Sequence, residues 1–474
     1  MKKTICPLLI TFLMAGCVAQ QNVSMEIQNA LEFPFEVISE LPEFPRDLSQ
    51  IHHINILDTF KRSSVGSSDE TFLANCPLLH EYIDKVERCA LTLPDNHEMD
   101  FLGNMMDGDR IFIKTYLIDD NEKDGIPEEA YSYVIYTRDG KFVSKIGESA
   151  YSRKLSQRNN LSSGKSSVLS TQDEAQYHNA VALCLDRKKK EAVLIEKNGG
   201  RMMFYDYNGK YLRTEYQGCM RSSIPGLPPS PQTYNTQGQW FVAFTPFATQ
   251  TIRLDENKQP THKVNLGAEF FHFEPEQRVG MGDAFMLQSN RSDTVWQVLP
   301  DRLVARYVYS GLLPSPNGVY TKQNPFQPSD VGRLVRSLDW FDIATPRYMM
   351  ARIGRLVKVE GERNVVDEEF WHLYDSNTGH AICFPCTYDR IIPSEPISFT
   401  SWMLEFPTLT PSLLLPDGTL VYSISAYSIK KEMAHLLDQP VADRKVIITK
   451  KDEKFVRSLL PNQMVLFFVK LKKF

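Results

Sequence analysis

No segment of this 474-residue chain is long and apolar enough to cross a membrane as a helix, which takes about 20 predominantly apolar residues. An excess of positive charge is lacking too: 53 Lys and Arg stand against 58 Asp and Glu, a formal net charge of −5. Without a basic field there is no electrostatic footprint for nucleic acid, and none is expected as a partner. The chain has no Gly-x-Ser-x-Gly elbow and no His-Glu-x-x-His pair, which removes two common routes to hydrolysis. A phosphate cradle fails on one glycine. Ser163 to Ser166 (Ser-Gly-Lys-Ser) resembles the end of a P-loop, but Asn159 stands where its first glycine belongs, and no strand-to-helix context surrounds it. A calcium loop fails likewise. Asp120 to Gly125 opens like one, yet Tyr131 occupies the twelfth position, where a bidentate acid is needed. An acidic hairpin turn is expected there, and no metal or cofactor is expected anywhere in the chain.

What is present begins at the N-terminus. Lys2 and Lys3 make a positive start, Thr4 to Leu13 a short, mostly apolar stretch, and Met14-Ala15-Gly16-Cys17 follows. A run this short cannot span ~30 Å of hydrocarbon and reads as the apolar region of a secretory signal. Small residues at Ala15 and Gly16 suit a peptidase cleft, and a cysteine directly after them is the acceptor in bacterial lipoprotein processing. The pattern resembles the lipobox, with Met14 where Leu is more usual. Residues 1–16 are therefore expected to be a lipoprotein signal peptide, with cleavage before Cys17 and lipidation of Cys17. Several acyl chains, at ~0.8 kcal/mol per buried CH₂, would hold the protein to a membrane. Val18 to Gln21 carry no Asp, and no acidic run follows. Both features favour the outer membrane, with the body facing the periplasm rather than the cell surface.

Eight cysteines occur in the chain. Cys6 leaves with the signal peptide and Cys17 is acylated; Cys76, Cys89, Cys184, Cys219, Cys383 and Cys386 remain. Outside the cytoplasm these can pair. One or two bridges at most are expected, with buried free thiols as the alternative, and spacing alone does not give the connectivity. Cys383-Phe-Pro-Cys386 has the spacing of a redox couple or half a zinc site. No second such pair exists, and the segment reads as strand and turn, so a structural disulfide or free thiols are expected. His372 and His380 lie nearby in sequence. Strand alternation sets His380 and Ile382 on one face and Cys383 on the other, and the apolar flanks Ala381, Ile382, Phe384 and Pro385 would raise a thiol's pKa. Asp367-Glu368-Glu369 beside Trp371 offers acids for glycoside chemistry, although a charged turn before a strand accounts for it better.

From about residue 90 onward the pattern is strongly β. Short runs rich in Val, Ile, Phe and Tyr are interrupted by turn residues about every 8–12 positions, which suggests a sandwich, barrel or propeller. One hairpin recurs: an aromatic strand, Asp-Gly or Asn-Gly, Lys, then another apolar strand. It spans Tyr133–Gly147 and Met203–Arg213, and in looser form His372–Cys383. Tight turns matched to strand twist need positive φ, which Gly and Asn tolerate. Asn104–Ile113 and Ala182–Ile195 are strand–turn–strand units that precede two of these hairpins, and together each set makes a four-stranded antiparallel blade. Similar text at Trp240–Leu254, Ala284–Tyr309, Tyr348–Phe384 and Ser412–Ser425 brings the expectation to about six blades. The basic run Arg187–Lys190 is a solvated turn within one of them. Helical spacing marks Asp330–Phe341 and Ser428–Leu437 as short rim helices. Residues 17–85 form a tether and N-terminal region in which the apolar alternation of Glu32–Leu57 allows an added strand. Residues 86–474 form the propeller.

This part of the chain resembles the lipid-anchored, six-bladed, NHL-repeat-like β-propellers of Gram-negative gut bacteria. The Asp-Gly-Lys and Asn-Gly-Lys hairpins carry the resemblance. So do Ser292–Val298, Ala344–Tyr348, Asp417–Tyr427 and the terminal Asn462–Lys472, which looks like a closing strand. It departs after Gly147, where the Ser-rich stretch Ser162–Thr171 replaces the usual Gly-Pro-Gly-Glu loop. The resemblance implies an all-β propeller with a few rim helices and an envelope location. It implies no chemistry. Two functions are compatible with it: a monomeric, non-enzymatic binding or scaffolding lipoprotein whose partner is a glycan or a protein, or an envelope hydrolase or lyase using carboxylates or histidines at the channel mouth. Propellers host both. The first is preferred because each candidate constellation has a simpler structural explanation.

Overall fold

The computed structural model describes residues 40–56, 58, 76–99, 105–117, 131–149, 177–178, 180–196, 201–216, 232–236, 239–243, 251–254, 260–264, 285–288, 294–299, 301–313, 329, 332–336, 343–360, 363–386, 395–405, 410–440 and 445–474. Cys17, Cys219, Asp120–Gly125, Asn159 and Ser162–Thr171 lie outside them. The described residues are mostly strand, with few helices.

Among the described residues six sheets of four or five strands form, each built largely from neighbours in sequence. Sheet one holds His97–Met99, Met105–Asp107, Arg110–Leu117, Tyr131–Thr137 and Phe142–Ile146; sheet two runs through Ala180–Asp186, Glu191–Glu196, Arg201–Asp206 and Tyr211–Tyr216. Sheet three comprises Gln232–Thr236, Gln239–Ala243, Thr251–Leu254 and Pro260–Val264. Sheet four comprises Phe285–Gln288, Thr294–Val298 and Leu303–Ser310, and its outer edge is supplied from far upstream, by Arg46–Asp47 and His52–Asn55 lying parallel to Leu303–Ser310. The described residues of Glu32–Leu57 thus supply two short strand pieces. Sheet five consists of Leu334–Arg336, Ile343–Ala344, Tyr348–Glu360, Arg363–Asp375 and His380–Pro385. Sheet six joins distant parts of the chain: Leu413–Leu414 and Leu420–Ser425 continue into the terminal strand Gln463–Leu471, which pairs on its other side with Ile83–Thr92. The division expected between residues 85 and 86 therefore falls inside a strand.

The recurrent hairpins form where expected. Gly140, Gly209 and Gly379 all take positive φ between paired antiparallel strands. In two of them an acid at the end of the first strand braces the turn: the Asp206 carboxylate accepts from the amides of Asn208 and Lys210, and Asp375 from that of Asn377. Gly140 has a second task, since a Cβ there would stand 2.6 Å from the Ala90 carbonyl oxygen of sheet six. The turn Arg187–Lys190 is exposed along most of its length, as expected, and is tied to sheet one by Lys190 on Asp107 and Arg187 on the Met106 carbonyl.

Faces pack sheet on sheet. Leu91, Val421 and Leu466 of sheet six meet Ile111, Ile113 and Val134 of sheet one, and Phe112 and Tyr133 of sheet one meet Leu183, Leu194 and Tyr205 of sheet two. Tyr307 and Tyr309 of sheet four pack on Met349, Ala351 and Phe370 of sheet five, whose other face sets Met350 and Trp371 against Leu420 and Tyr422 of sheet six. Burial on both faces removes the apolar–polar alternation, so Ile111-Phe112-Ile113 is apolar throughout.

The same effect corrects one expectation. Within Asp330–Phe341 the described residues Leu334–Arg336 form a strand paired with Tyr348–Glu360, not a helix. Leu334 and Val335 are buried in different clusters, one on each side, and consecutive apolar residues imitate helical spacing. Ser428–Leu437 is helical as expected, within Ala426–Asp438, with Ser425 capping the Ser428 amide.

Candidate functional site

Sheet five gathers most of the residues that the sequence singles out. Its strands Arg363–Asp375 and His380–Pro385 are paired so that His372 stands opposite Cys383. Alternation sends Phe370, Tyr374 and Cys383 toward sheet four, and Trp371, Leu373, Ile382 and Phe384 toward sheet six. Cys386, just past the strand, packs on the sheet-six side. The two halves of the Cys-x-x-Cys motif thus face different joints and remain free thiols, so the local disulfide is not formed. His380 is exposed at the turn and takes no part. The Asp367-Glu368-Glu369 run is not a turn before a strand but lies within the strand Arg363–Asp375.

On the sheet-four side His372 is fully buried. Its Nδ1 lies 3.1 Å from the Tyr309 hydroxyl, and the rings meet edge to face. Burial pushes the His372 pKa down to about 3, so the ring is neutral. Cys76, half-buried, packs into this cluster, and its thiol is in hydrogen-bond contact with that of Cys383. That contact and burial both drive the Cys76 pKa far up. A nucleophilic thiol needs the opposite shift.

On the sheet-six side Arg352 and Glu369 form an ion pair, both groups almost wholly buried. The Cys386 thiol is pushed up to about 11 by burial, against the opposing charge of Arg352. Beyond it the fully buried Tyr422 phenol is raised well above its ordinary value, first by burial and then by Glu405 and Cys386. Glu405 accepts the His80 amide at 2.7 Å and lies 3.0 Å from that ring's Nδ1. At the sheet's end Arg347 grips Asp375 with two nitrogens, at 3.0 and 2.7 Å. The remaining described cysteines sit in other sheets: Cys89, with its pKa raised to about 12 by burial, in the joint of sheets six and one, and Cys184 in sheet two.

Tyr309, Arg352 and Glu405 were not marked by the sequence, and Cys76 only as one of six cysteines free to pair. They lie tens to hundreds of residues from the motif they complete, with no local spacing to tie them to it.

No family model matches the chain. No curated protein matches it either. Among solved structures it is similar to a candidate exported protein of Bacteroides fragilis, at 12% identity and a TM-score of 0.51, over 90% of this chain and 100% of that one. It is also similar to a DUF4221-family member from Bacteroides vulgatus, at 8% identity and a TM-score of 0.37, over 82% of this chain and 99% of that one. The first likeness is one of fold.

Proposed function

We propose that this chain is a non-enzymatic binding or scaffolding lipoprotein of the cell envelope. Cys17 carries the lipid, and the folded body is a six-bladed propeller on the periplasmic side of the outer membrane. The observation that carries the reading is how buried ionisable groups are used. Arg352–Glu369, Arg88–Asp452 and Arg347–Asp375 are matched pairs, and His372 is a neutral ring against Tyr309. Two of the pairs lie within sheet five, one joins sheet six to the helix Lys450–Ser458, and burial holds the Cys76 and Cys386 thiols protonated. Such a frame is suited to presenting loops rather than to activating a nucleophile or a proton donor.

A closed ring has support from the sequence of contacts. Sheets four to five, five to six, six to one and one to two share apolar clusters. Ala180–Asp186 lies beside Gln232–Thr236, joining two to three. Three and four are strapped by the N-terminal segment, in which Phe44 donates to the Lys263 carbonyl and Leu303 to that of Pro45. A radial frame leaves an axial channel and loop-covered ends for a glycan or protein partner. Cys17 and Glu40 can be at most about 80 Å apart along an extended chain, a reach that keeps the body close to its membrane.

Two measurements test this. Envelope fractionation should find the protein acylated, and Cys17→Ala should leave an uncleaved or soluble species; an unmodified N-terminus at another residue refutes the anchor. Incubation with envelope glycans and photo-crosslinking to envelope proteins should yield a bound partner chemically unchanged. A cleaved glycan product would replace this reading with the hydrolase or lyase one.

A further inference from the structure

Two thiols some three hundred residues apart in sequence meet in the joint between sheets four and five. Cys76 precedes the short helix Leu79–Tyr82, which leads into the edge strand Ile83–Thr92 of sheet six. Cys383 lies in sheet five. Both pack into one cluster with Ile54, Tyr309 and Phe370, with the two thiols close enough to interact. Among the described cysteines neither has a competing partner: Cys386 faces the opposite side of sheet five, Cys89 sits between sheets six and one, and Cys184 in sheet two.

We propose that Cys76 and Cys383 form a disulfide in the exported protein, stapling the entry of sheet six to sheet five. The pairing rests on the export reading for its oxidising compartment. The oxidant is a small-molecule or protein disulfide of that compartment. Cys76, the less buried of the two, attacks the oxidant's disulfide as a thiolate; one oxidant sulfur leaves as a thiol and a mixed disulfide forms on Cys76 Sγ. Cys383, as a thiolate, then attacks Cys76 Sγ, the new S–S bond closes, and the second oxidant sulfur leaves and takes up a proton. Two cysteine thiols have lost two electrons and two protons, and one oxidant disulfide has become two thiols. Packing disfavours the Cys76 thiolate, so closure belongs to folding, before the joint is dry. Once closed, the bond is shielded from reductants by the same packing. It ties off a loop of some three hundred residues, and the constraint on the unfolded chain grows with loop length.

The experiment maps thiols in the full chain, purified in detergent from the envelope. After free thiols are blocked with N-ethylmaleimide in denaturant without reductant, digestion and mass spectrometry should show the Cys76 and Cys383 peptides linked. In a second arm the same chain, reduced and unfolded, is refolded in a glutathione redox buffer, and the same link should form. Reductant applied during unfolding should lower the parent's melting temperature by several degrees and leave Cys76→Ser unmoved. Both thiols alkylated in both arms, or Cys383 found joined to Cys386 or Cys219, overturns the proposal. A link formed on refolding but missing from the isolated protein supports the pairing and places the failure in the export reading. Because the thiols are mapped on the parent, a Cys76→Ser variant that fails to fold does not alter the outcome.

Discussion

The Tyr309 hydroxyl and His372 Nδ1 stand 3.1 Å apart in the joint between sheets four and five, their rings edge to face at 5.6 Å. A polar pair fully enclosed by apolar neighbours is stable only while the imidazole is neutral. Charging it without a counter-ion would cost far more than one hydrogen bond returns. The joint is therefore a place where proton concentration acts on folding.

His372 should make stability depend on pH. Its ordinary value is 6.5 and its folded value about 3, lowered by burial. Between those limits the unfolded chain binds the proton and the folded chain does not. Stability is complete above the unfolded value and is lost as pH falls toward the folded one, by up to about 1.4 kcal/mol per pH unit. Urea midpoints across this window should fall for the parent and fall less steeply for His372→Gln. Parallel slopes would show that the ring titrates freely in the folded protein.

Tyr309→Phe keeps the edge-to-face contact and removes this hydroxyl from the His372 ring. A buried polar group deprived of a partner costs about 1–3 kcal/mol, and the denaturant midpoint should drop accordingly. An unchanged midpoint would mean that the hydroxyl contributes nothing net to the joint.

The Arg352–Glu369 pair is buried at 5% and 8% exposure. Removing one partner should be worse than removing both. Arg352→Met strands the Glu369 charge and is expected to cost about 3–5 kcal/mol, while Arg352→Met with Glu369→Leu should recover most of it. Chemical denaturation of the two variants and the parent reads the difference directly. A double variant no more stable than the single one would mean that the ion pair itself, not the relief of a stranded charge, holds the sheets.

Much of the fold was legible because turn chemistry is local. Asp139-Gly140 and Asn208-Gly209 require positive φ wherever they stand, and both are hairpin turns in the structure. The helix over Ala426–Asp438 was legible for a related reason: its buried stripe of Ile429, Met433 and Leu436 packs into a single cluster. Leu334 and Val335 misled because two neighbours bury them from opposite sides. The site was legible only in half. Alternation correctly separated His380 from Cys383, since that rule acts within one strand. Cys76 and Tyr309 reach Cys383 and His372 through sheet stacking, which leaves no spacing in the sequence.

Gly140 and Gly108 allow strain and close approach to be told apart. Both take positive φ in turns of sheet one, but only Gly140 has a neighbour, the Ala90 carbonyl, where a Cβ would go. Gly108→Ala should cost about 1–2 kcal/mol for the left-handed backbone alone. Gly140→Ala adds the clash and should lower the melting temperature further, because sheet six must move away from sheet one. Equal losses would show that the contact between the sheets yields freely.

The terminal strand Gln463–Leu471 makes the strongest demand on the architecture. It lies between Leu420–Ser425 and Ile83–Thr92 and has no open edge of its own. Its residues Val465 to Val469 are all buried, some facing sheet five and others sheet one. Burying a large apolar side chain is worth about 1.5–3 kcal/mol, so five of them are comparable to the ~5–15 kcal/mol that holds a typical domain. Deleting Met464–Leu471 would also expose two unpaired strand edges, each a template for aggregation. The deletion variant should therefore lose its cooperative melting transition and precipitate. Phe467→Ala, which leaves the backbone pairing in place, should retain the transition and lose about 3–5 kcal/mol. Circular dichroism melts of the three proteins decide the matter. A deletion variant that melts like the parent would mean that sheet six stands without its central strand, and that the two ends of the chain do not hold the frame together.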